Sequence, residues 1–324
     1  MEREFHRWLK EQANQSSNSS MVRLGIGDDA AILSGVINGA TIPGIVITTD
    51  GLAEGTHFDL VRDSLTLVGR KLIAVNLSDL AAMGAVPLAA VITLNLPRSF
   101  SLQQAQELFL GARKLADQFQ FPIVGGDTNR WDGPLVVSAT LLGFDLAGHR
   151  KRQPWLISGG RPNDLILVSG AFGGSILGKH LNFEPRLQLA KYLVENYEIN
   201  GATDVSDSLS LDLALMARAG GEQLGKPQPL GFELLVDRIP IAEDAVRVST
   251  NSLMSPLQHA LSDGEDFELL LAVDPIEYLR MKEDPALRYG PLKLSHIGQF
   301  VEQPGCWLCS GPNRESFEPR GYSH

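Results

Sequence analysis

Asp28, Asp29, Asp50, Asp79 and Asp127 stand at the ends of apolar segments: Gly25-Ile26-Gly27-Asp28-Asp29-Ala30-Ala31, Ile47-Thr48-Thr49-Asp50-Gly51, Val75-Asn76-Leu77-Ser78-Asp79 and Val124-Gly125-Gly126-Asp127-Thr128. A carboxylate at the end of a buried segment needs a positive partner. Few basic residues lie near these positions, so the counter-charge the sequence points to is a metal ion. Hard oxygen donors select magnesium or calcium over zinc, and magnesium is the usual partner of substrate phosphates. The pattern predicts an enzyme that handles a polyphosphate. Each aspartate taken singly has a structural alternative: a helix cap for Asp29, a turn for Asp127, a solvated helix face for Asp79. Asp79 resists it most, because Leu77, Leu80, Ala81 and Met83 surround it with apolar neighbours.

The second half adds Asp204-Val205-Ser206-Asp207 and Asp263-Gly264-Glu265-Asp266-Phe267-Glu268. The first places two carboxylates and a hydroxyl where they can share one ion; in the second, Glu265 can accept hydrogen bonds from a cationic or amino-bearing substrate. Gly173-Gly174-Ser175-Ile176-Leu177-Gly178-Lys179-His180 fits the spacing of a phosphate-binding loop, but His180 stands where the magnesium-binding hydroxyl belongs. The run reads better as a glycine-rich strand-to-helix turn. Cys306 and Cys309 form a lone C-x-x-C without a second pair, expected to lie in a short strand with no redox or metal role.

The elements that must carry these residues follow from periodicity. Phe5, Trp8 and Leu9 predict a short opening helix, followed by a polar loop over 14–20. A strand near Leu24 precedes the Gly-Asp-Asp turn, and the β-branched run 42–49 predicts a strand ending at Asp50. The run 65–83 predicts a helix stopped by Gly84 and Pro87, and 88–96 a strand. Leu102, Ala105, Leu108, Phe109, Ala112, Leu115 and Phe119 mark one helical face, with strands at 122–124 and 135–144. The first half thus reads β-β-α-β-α-β-β, helices over a mixed sheet. The irregular stretch 145–163 is the expected boundary between domains at 1–148 and 149–324. Beyond it, strands are expected at 164–170, 232–236 and 267–273, and helices at 185–196 and 209–220.

With 324 residues the chain has room for two ordinary domains, and 44% hydrophobic with 20% charged residues describes a globular chain. A net charge of −10 argues against nucleic acid as a main partner, but allows a nucleotide bridged by divalent ions. Two cysteines give no disulfide framework. No apolar run approaches the roughly 18 residues of a membrane span, and the charged N-terminal residues lack a signal-like core, so a cytoplasmic protein is expected.

The segments GIGDDAAIL, TTDGLAEGTHF, AVNLSDLAAMGAVPLAAVITLNLP, GGDTN, DVSDSLSLDL, SDGEDFELLL and GYSH, together spanning nearly the whole chain, resemble thiamine-monophosphate kinases of the AIR-synthetase-like superfamily. The resemblance implies a two-domain α/β (α+β) fold, with metal and ATP binding and dimerisation in the first domain. It implies ATP-dependent phosphorylation of thiamine monophosphate to thiamine diphosphate by in-line transfer, with several Mg2+ ions. By the same resemblance, Asp29, Thr48, Thr49, Asp50, Asp79, Asp127, Asp204 and Asp207 bind magnesium, with Asp50, Asp79 and Asp127 central to catalysis. Gly126, Asp127 and Ser206 touch ATP and Phe109 packs by the nucleotide, while His57, Glu265 and Tyr322 line the thiamine phosphate pocket.

Departures lie around the ATP phosphates. An arginine of the family falls at Ile157, with Arg161 four residues on as the candidate replacement. Ser-Asp-Gly-Leu of the family is Ser206-Asp207-Ser208-Leu209, and Gly-Gly-Glu-Asp is Asp263-Gly264-Glu265-Asp266. If the lost glycine requires positive φ or close ligand approach, Ser208 brings strain or a narrower site. The Ile157 and Ser208 changes motivate one alternative, a weakened member that binds nucleotide or thiamine phosphate; another ATP-dependent enzyme of the superfamily is a second.

Overall fold

Val137, Ala139 and Leu141 are buried while Ser138, Thr140 and Leu142 are not, the period-two signature of a sheet with one covered face. The computed structural model describes residues 5, 8–9, 21–37, 40–149 and 154–321. It divides into two units: Met1–Leu80 with Ala85–His149 and Leu181–Leu187, and Ala81–Gly84 with Arg150–His180 and Gln188–His324.

The first unit is a sheet of strands β1 (Val22–Leu24), β2 (Ala31–Ile37), β3 (Ala40–Ala53), β4 (Ala85–Pro97), β5 (Ile123–Trp131) and β6 (Val136–Asp145). Their spatial order is β1-β2-β3-β6-β4-β5, with β4 and β5 parallel and the other neighbours antiparallel. Register sets Thr48 opposite Leu141, Asp50 opposite Ala139 and Leu52 opposite Val137, so Thr48 and Asp50 share the covered face. Thr49, opposite Thr140, takes the other face.

Two helices, Leu65–Ala82 and Leu102–Gln118, cross through reciprocal glycines. A Cβ on Gly69 would stand 1.9 Å from the Leu108 carbonyl oxygen, and one on Gly111 would stand 2.1 Å from that of Thr66. The backbones therefore touch. Gly143 of β6 does the same for side-chain packing: a Cβ there would meet the Leu80 side chain at 2.7 Å, so Leu80 seats against the sheet beside Asp79. The face that the second helix buries is Leu108, Gly111, Ala112, Leu115 and Ala116. Leu102 and Phe109, expected on that face, are exposed, because residue 109 lies about 100° around the helix from 108.

The second unit is a sheet in the order β13-β12-β9-β11-β7-β10-β8. Its strands are β7 (Leu165–Ser169), β8 (Gly201–Asp204), β9 (Gly231–Leu235), β10 (Leu269–Val273), β11 (Leu294–Val301), β12 (Cys306–Ser310) and β13 (Asn313–Ser316). Ile166, Val168, Phe232, Leu234, Leu270 and Phe300 form its core with Leu213 and Met216 of the helix Leu209–Gln223. Cys306 and Cys309 lie three apart on β12, so their side chains leave opposite faces and cannot grip one ion. Burial pushes the Cys306 thiol up to about 11, far from a reactive thiolate.

Three expectations change. Strand β3 runs past Asp50 to Ala53, and β5 runs through Gly125-Gly126-Asp127, so both aspartates lie inside strands. Strand β2 was absent from the sequence reading because Ser34-Gly35 interrupts its pattern at a register shift. The helices Pro256–Ser262 and Pro275–Lys282 also escaped it, although Ser255 with Gln258 and Asp274 with Pro275 carry capping signals.

Gly111→Ala tests the helix crossing. Alanine gains about 1 kcal/mol of helix propensity, but forcing a methyl against backbone costs more, so a net loss of about 2 kcal/mol is expected in urea unfolding.

Candidate functional site

In the first unit, Asp79, one turn before the end of its helix, meets the covered face of β3. The Thr48 hydroxyl donates to Asp79 Oδ2. Asp79 also hydrogen-bonds Asp50, whose carboxyl burial pushes up to about 6 against the lowering effect of that bond. A hydroxyl and two carboxylates, one with its pKa raised to about 6, form a hard-oxygen set of the kind that suits a divalent cation. The donor chemistry fits magnesium, which keeps waters and takes only one or two carboxylates from a protein. Among the described residues, no group of three acidic, histidine or cysteine side chains is positioned to hold a metal ion.

The remaining first-unit candidates are placed differently. Asp29 is half-buried in the bend before β2, its N–H on Asp28 Oδ1 at 3.0 Å. The Thr49 hydroxyl donates to the Ala139 carbonyl at 3.1 Å and accepts from Thr140 Oγ1 at 2.9 Å, away from Thr48 and Asp50. Asp127 is exposed on edge strand β5 and accepts from Asn129 Nδ2 at 2.8 Å. Gly126 has no room for a side chain, since a Cβ would stand 1.8 Å from the Ile92 oxygen. Phe109 presents its ring at the helix surface. So the structure gathers Thr48, Asp50 and Asp79 and leaves Thr49 and Asp127 apart from them.

His57 follows β3. Its Nδ1 accepts the Ala53 N–H at 3.1 Å, so the neutral ring carries its proton on Nε2. Its carbonyl accepts from Lys71 Nζ at 2.9 Å, and Lys71 is wholly buried. Sequence reading passed over Lys71, although a lysine inside the apolar run 65–83 was a visible signal.

In the second unit, Asp204 ends β8, and Ser206 and Asp207 occupy the turn before the helix at 209–223. The N–H groups of Asp207 and Ser208 both donate to Asp212 Oδ2 at 3.1 Å. Burial, with the charges of Asp207 and Asp204, pushes the Asp212 carboxyl well above the usual carboxylate range. Asp212 was not singled out from the sequence, where it reads as an ordinary first-turn helix acid.

Ser208 has φ 172°, extended backbone open to any residue, so the condition for strain is not met. Its hydroxyl accepts the Leu211 N–H at 3.1 Å, capping the helix, and donates to the Arg320 carbonyl at 2.8 Å. Ile157 packs against the second-unit core, while Arg161 is exposed and near enough to Asp164 to lower that buried acid's raised pKa. Tyr322 lies outside the described residues.

The glycine-rich turn is spoken for by internal acids. Gly173 N–H donates to Asp266 at 3.0 Å and Gly174 N–H to Asp263 at 2.7 Å. Lys179 Nζ bonds Asp266 at 3.1 Å and Glu268 at 3.0 Å, and His180 Nδ1 lies 2.9 Å from the Ser175 carbonyl. Donors that a phosphate loop would offer to a ligand are used within the fold, which is the physical reason the run is not such a loop. Glu265 lies in the segment so held, half-buried, with φ 60°.

Residues 27–144 match the family described as AIR synthase related protein, N-terminal domain. The thiamine-monophosphate kinase of Rhodopirellula baltica is 37% identical over 329 residues, covering 100% of this chain and 97% of that protein. That of Caulobacter vibrioides is 32% identical over 310 residues, covering 88% and 80%. Among solved structures, AaThiL complexed with AMPPCP and TMP has a TM-score of 0.75 at 24% identity, covering 98% of this chain and 96% of that one. The two mixed sheets with their helices carry the AIR-synthetase-like α/β fold expected from the sequence.

Asp266 gives a pH test. Burial raises its carboxyl to about 6 despite Lys179. The folded state then binds more protons than the unfolded one above the ordinary carboxylate range. Stability should fall as pH rises from about 4 to about 6 and level off above. In urea melts across that window, Asp266→Asn is expected to flatten this part of the profile.

Proposed function

The chain belongs to the thiamine-monophosphate kinase family, and we propose that it transfers the γ-phosphoryl group of ATP to thiamine monophosphate by direct in-line attack, with magnesium. The observation that carries this reading is the buried contact of Thr48, Asp50 and Asp79, an acid set that lacks any need for a strong base. The nucleophile is a phosphate oxygen of thiamine monophosphate, already anionic near neutral pH. Its bond to the γ-phosphorus forms as the bond from that phosphorus to the β,γ-bridging oxygen breaks, yielding thiamine diphosphate and ADP. Magnesium, when bound, relieves repulsion between the two anionic phosphates.

Thr48, Asp50 and Asp79 hold one such ion in this reading, and the family resemblance adds Asp29, Thr49, Asp127, Asp204 and Asp207 as ligands of further ions. In this reading Gly126, whose missing side chain lets the Ile92 backbone approach, contacts the nucleotide together with Phe109 and Ser206. His57, its Nδ1 tied to Ala53, offers Nε2–H chemistry suited to a phosphate oxygen, and Lys71 fixes its carbonyl. Glu265 and Tyr322 complete the thiamine phosphate contacts. One observation favours a second reading: Ile157, packed against apolar core, supplies no charge to ATP phosphates, as in a member that binds its ligands but turns over slowly.

The free thiols of Cys306 and Cys309 suit a reducing cytoplasm, and we read the protein as cytoplasmic. No described helix is long and apolar enough to cross a membrane. Val91, Val124 and Leu142 expose apolar side chains on the first-unit sheet, which supports a homodimer through that sheet. A solution mass near twice 35.2 kDa is expected, and a monomer at micromolar concentration removes the dimer.

The activity test is thiamine diphosphate formation from ATP and thiamine monophosphate at millimolar magnesium. Asp79→Asn is expected to lower kcat on the order of a hundredfold while the protein stays folded. Unchanged turnover in that variant sinks the metal-kinase account. Wild-type binding of thiamine monophosphate without turnover selects the second reading.

A further inference from the structure

Glu265 and Phe267 have φ values of 60° and 51°, two left-handed non-glycine residues within three positions. Each such residue costs on the order of 1 kcal/mol or more, and persists only where its surroundings over-determine it. The surroundings here do so from both sides. Glu265 N–H donates to the Ser206 carbonyl at 2.7 Å and Phe267 N–H to that of Val205 at 2.8 Å. Downstream, Asp266 and Glu268 are gripped by Gly173 N–H, Lys179 and the Ser169 hydroxyl. Upstream, the Gly264 carbonyl accepts from Ser175 Oγ at 2.5 Å.

The upstream anchor has one further part that the reaction does not use. His259, 5% exposed, places Nδ1 3.1 Å from both carboxylate oxygens of Asp263, and Nε2 2.7 Å from Ser252 Oγ. With Nδ1–H donating to the carboxylate, Nε2 accepts the Ser252 hydroxyl proton. Ser252 Oγ in turn accepts the Met254 N–H at 3.2 Å, tying the chain to the loop before the helix at 256–262. At the other end, Asp263 Oδ2 receives the Gly174 N–H at 2.7 Å. The line Ser252–His259–Asp263–Gly174 thus fastens the residue two before Glu265 to a buried turn. A charged carboxylate held by a ring N–H and a backbone N–H is among the stronger hydrogen-bonded arrangements a fold can make.

We propose that His259 and Asp263 are positioning residues, which hold the 263–268 segment so that Glu265 keeps its left-handed backbone and its side chain stays set for the thiamine end of the substrate. This rests on the reading of Glu265 as a thiamine monophosphate contact. The two residues act through Glu265 and do not touch the transferred group. Their effect should therefore fall on binding of thiamine monophosphate rather than on the chemical step.

The experiment compares wild type, Asp263→Ala, Asp263→Asn and Ser252→Ala by steady-state kinetics and by hydrogen exchange at the amides of Gly174 and Glu265. Asp263→Ala is expected to raise KM for thiamine monophosphate about tenfold, with kcat and KM for ATP within about threefold, and to speed Glu265 exchange about tenfold. Asp263→Asn keeps an acceptor for Gly174 N–H and should restore most of both. If Asp263→Ala does not fold, Ser252→Ala carries the test, with a KM rise of about twofold to threefold and faster Glu265 exchange. Unchanged Glu265 exchange in the folded variants overturns the proposal, whether or not KM moves, and so does a loss confined to kcat. Should wild type form no thiamine diphosphate, the kinase reading fails, and the exchange rates alone decide the positioning role.

Discussion

A carboxylate withdrawn from water must be met by a cation, by a proton or by hydrogen-bond donors, and each unit of this chain satisfies that demand in its own way. In the first unit, Asp50 and Asp79 lie against each other and the Thr48 hydroxyl, and burial leaves Asp50 protonated well above its ordinary range. A carboxyl whose charged form is disfavoured in this way gains from a neighbouring cation. In the second unit, Asp263, Asp266 and Glu268 are met by backbone N–H groups, a lysine and a histidine. Those acids are structural. The same residue type therefore meets another acid in one unit and fastens a loop in the other, according to the donors around it.

The glycine-rich turn at 173–179 shows how a motif loses its usual meaning. Gly173 and Gly174 have positive φ. Their successive N–H groups donate to the carboxylates of Asp266 and Asp263, as backbone donors in a turn can do for an anion. The anions present are the chain's own carboxylates. A Cβ at Gly173 would meet the Ala260 backbone at 2.7 Å, and one at Gly174 that of Asp244 at 2.3 Å, so glycine is required here for packing as much as for conformation. Spacing alone cannot distinguish an anion-binding turn with a ligand from one already filled.

The departures from the family pattern resolve into packing. Ser208 caps a helix and fastens the backbone at Arg320, in extended conformation and without strain. Asp263 brings a carboxylate that joins His259 to the Gly174 backbone. Ile157 joins an apolar core. The first two add internal bonds, whereas the third places an apolar side chain against the core.

Much of the architecture was legible because hydrophobic period reports burial directly: 65–82, 102–118 and 136–145 follow from it nearly to the residue. The acids were legible too, since a solvated helix face suits Asp79 poorly amid Leu77, Leu80 and Ala81. Short or interrupted elements were not: Gly35 broke the pattern of β2, and Phe109 sat close enough to the apolar stripe to be taken for core. Sequence by itself pointed to the family and to the acids as candidates for cation binding, because those depend on local chemistry and spacing. Only the tertiary structure decided which acids meet. Thr48 and Asp79 are thirty-one residues apart and touch because Gly143 lets Leu80 seat on the sheet, while Asp127 stays on an exposed edge strand. Long-range contact also decided that the turn at Gly173 is filled by carboxylates some ninety residues away. Burial, and hence charge state, is a property of the whole packed neighbourhood rather than of any segment.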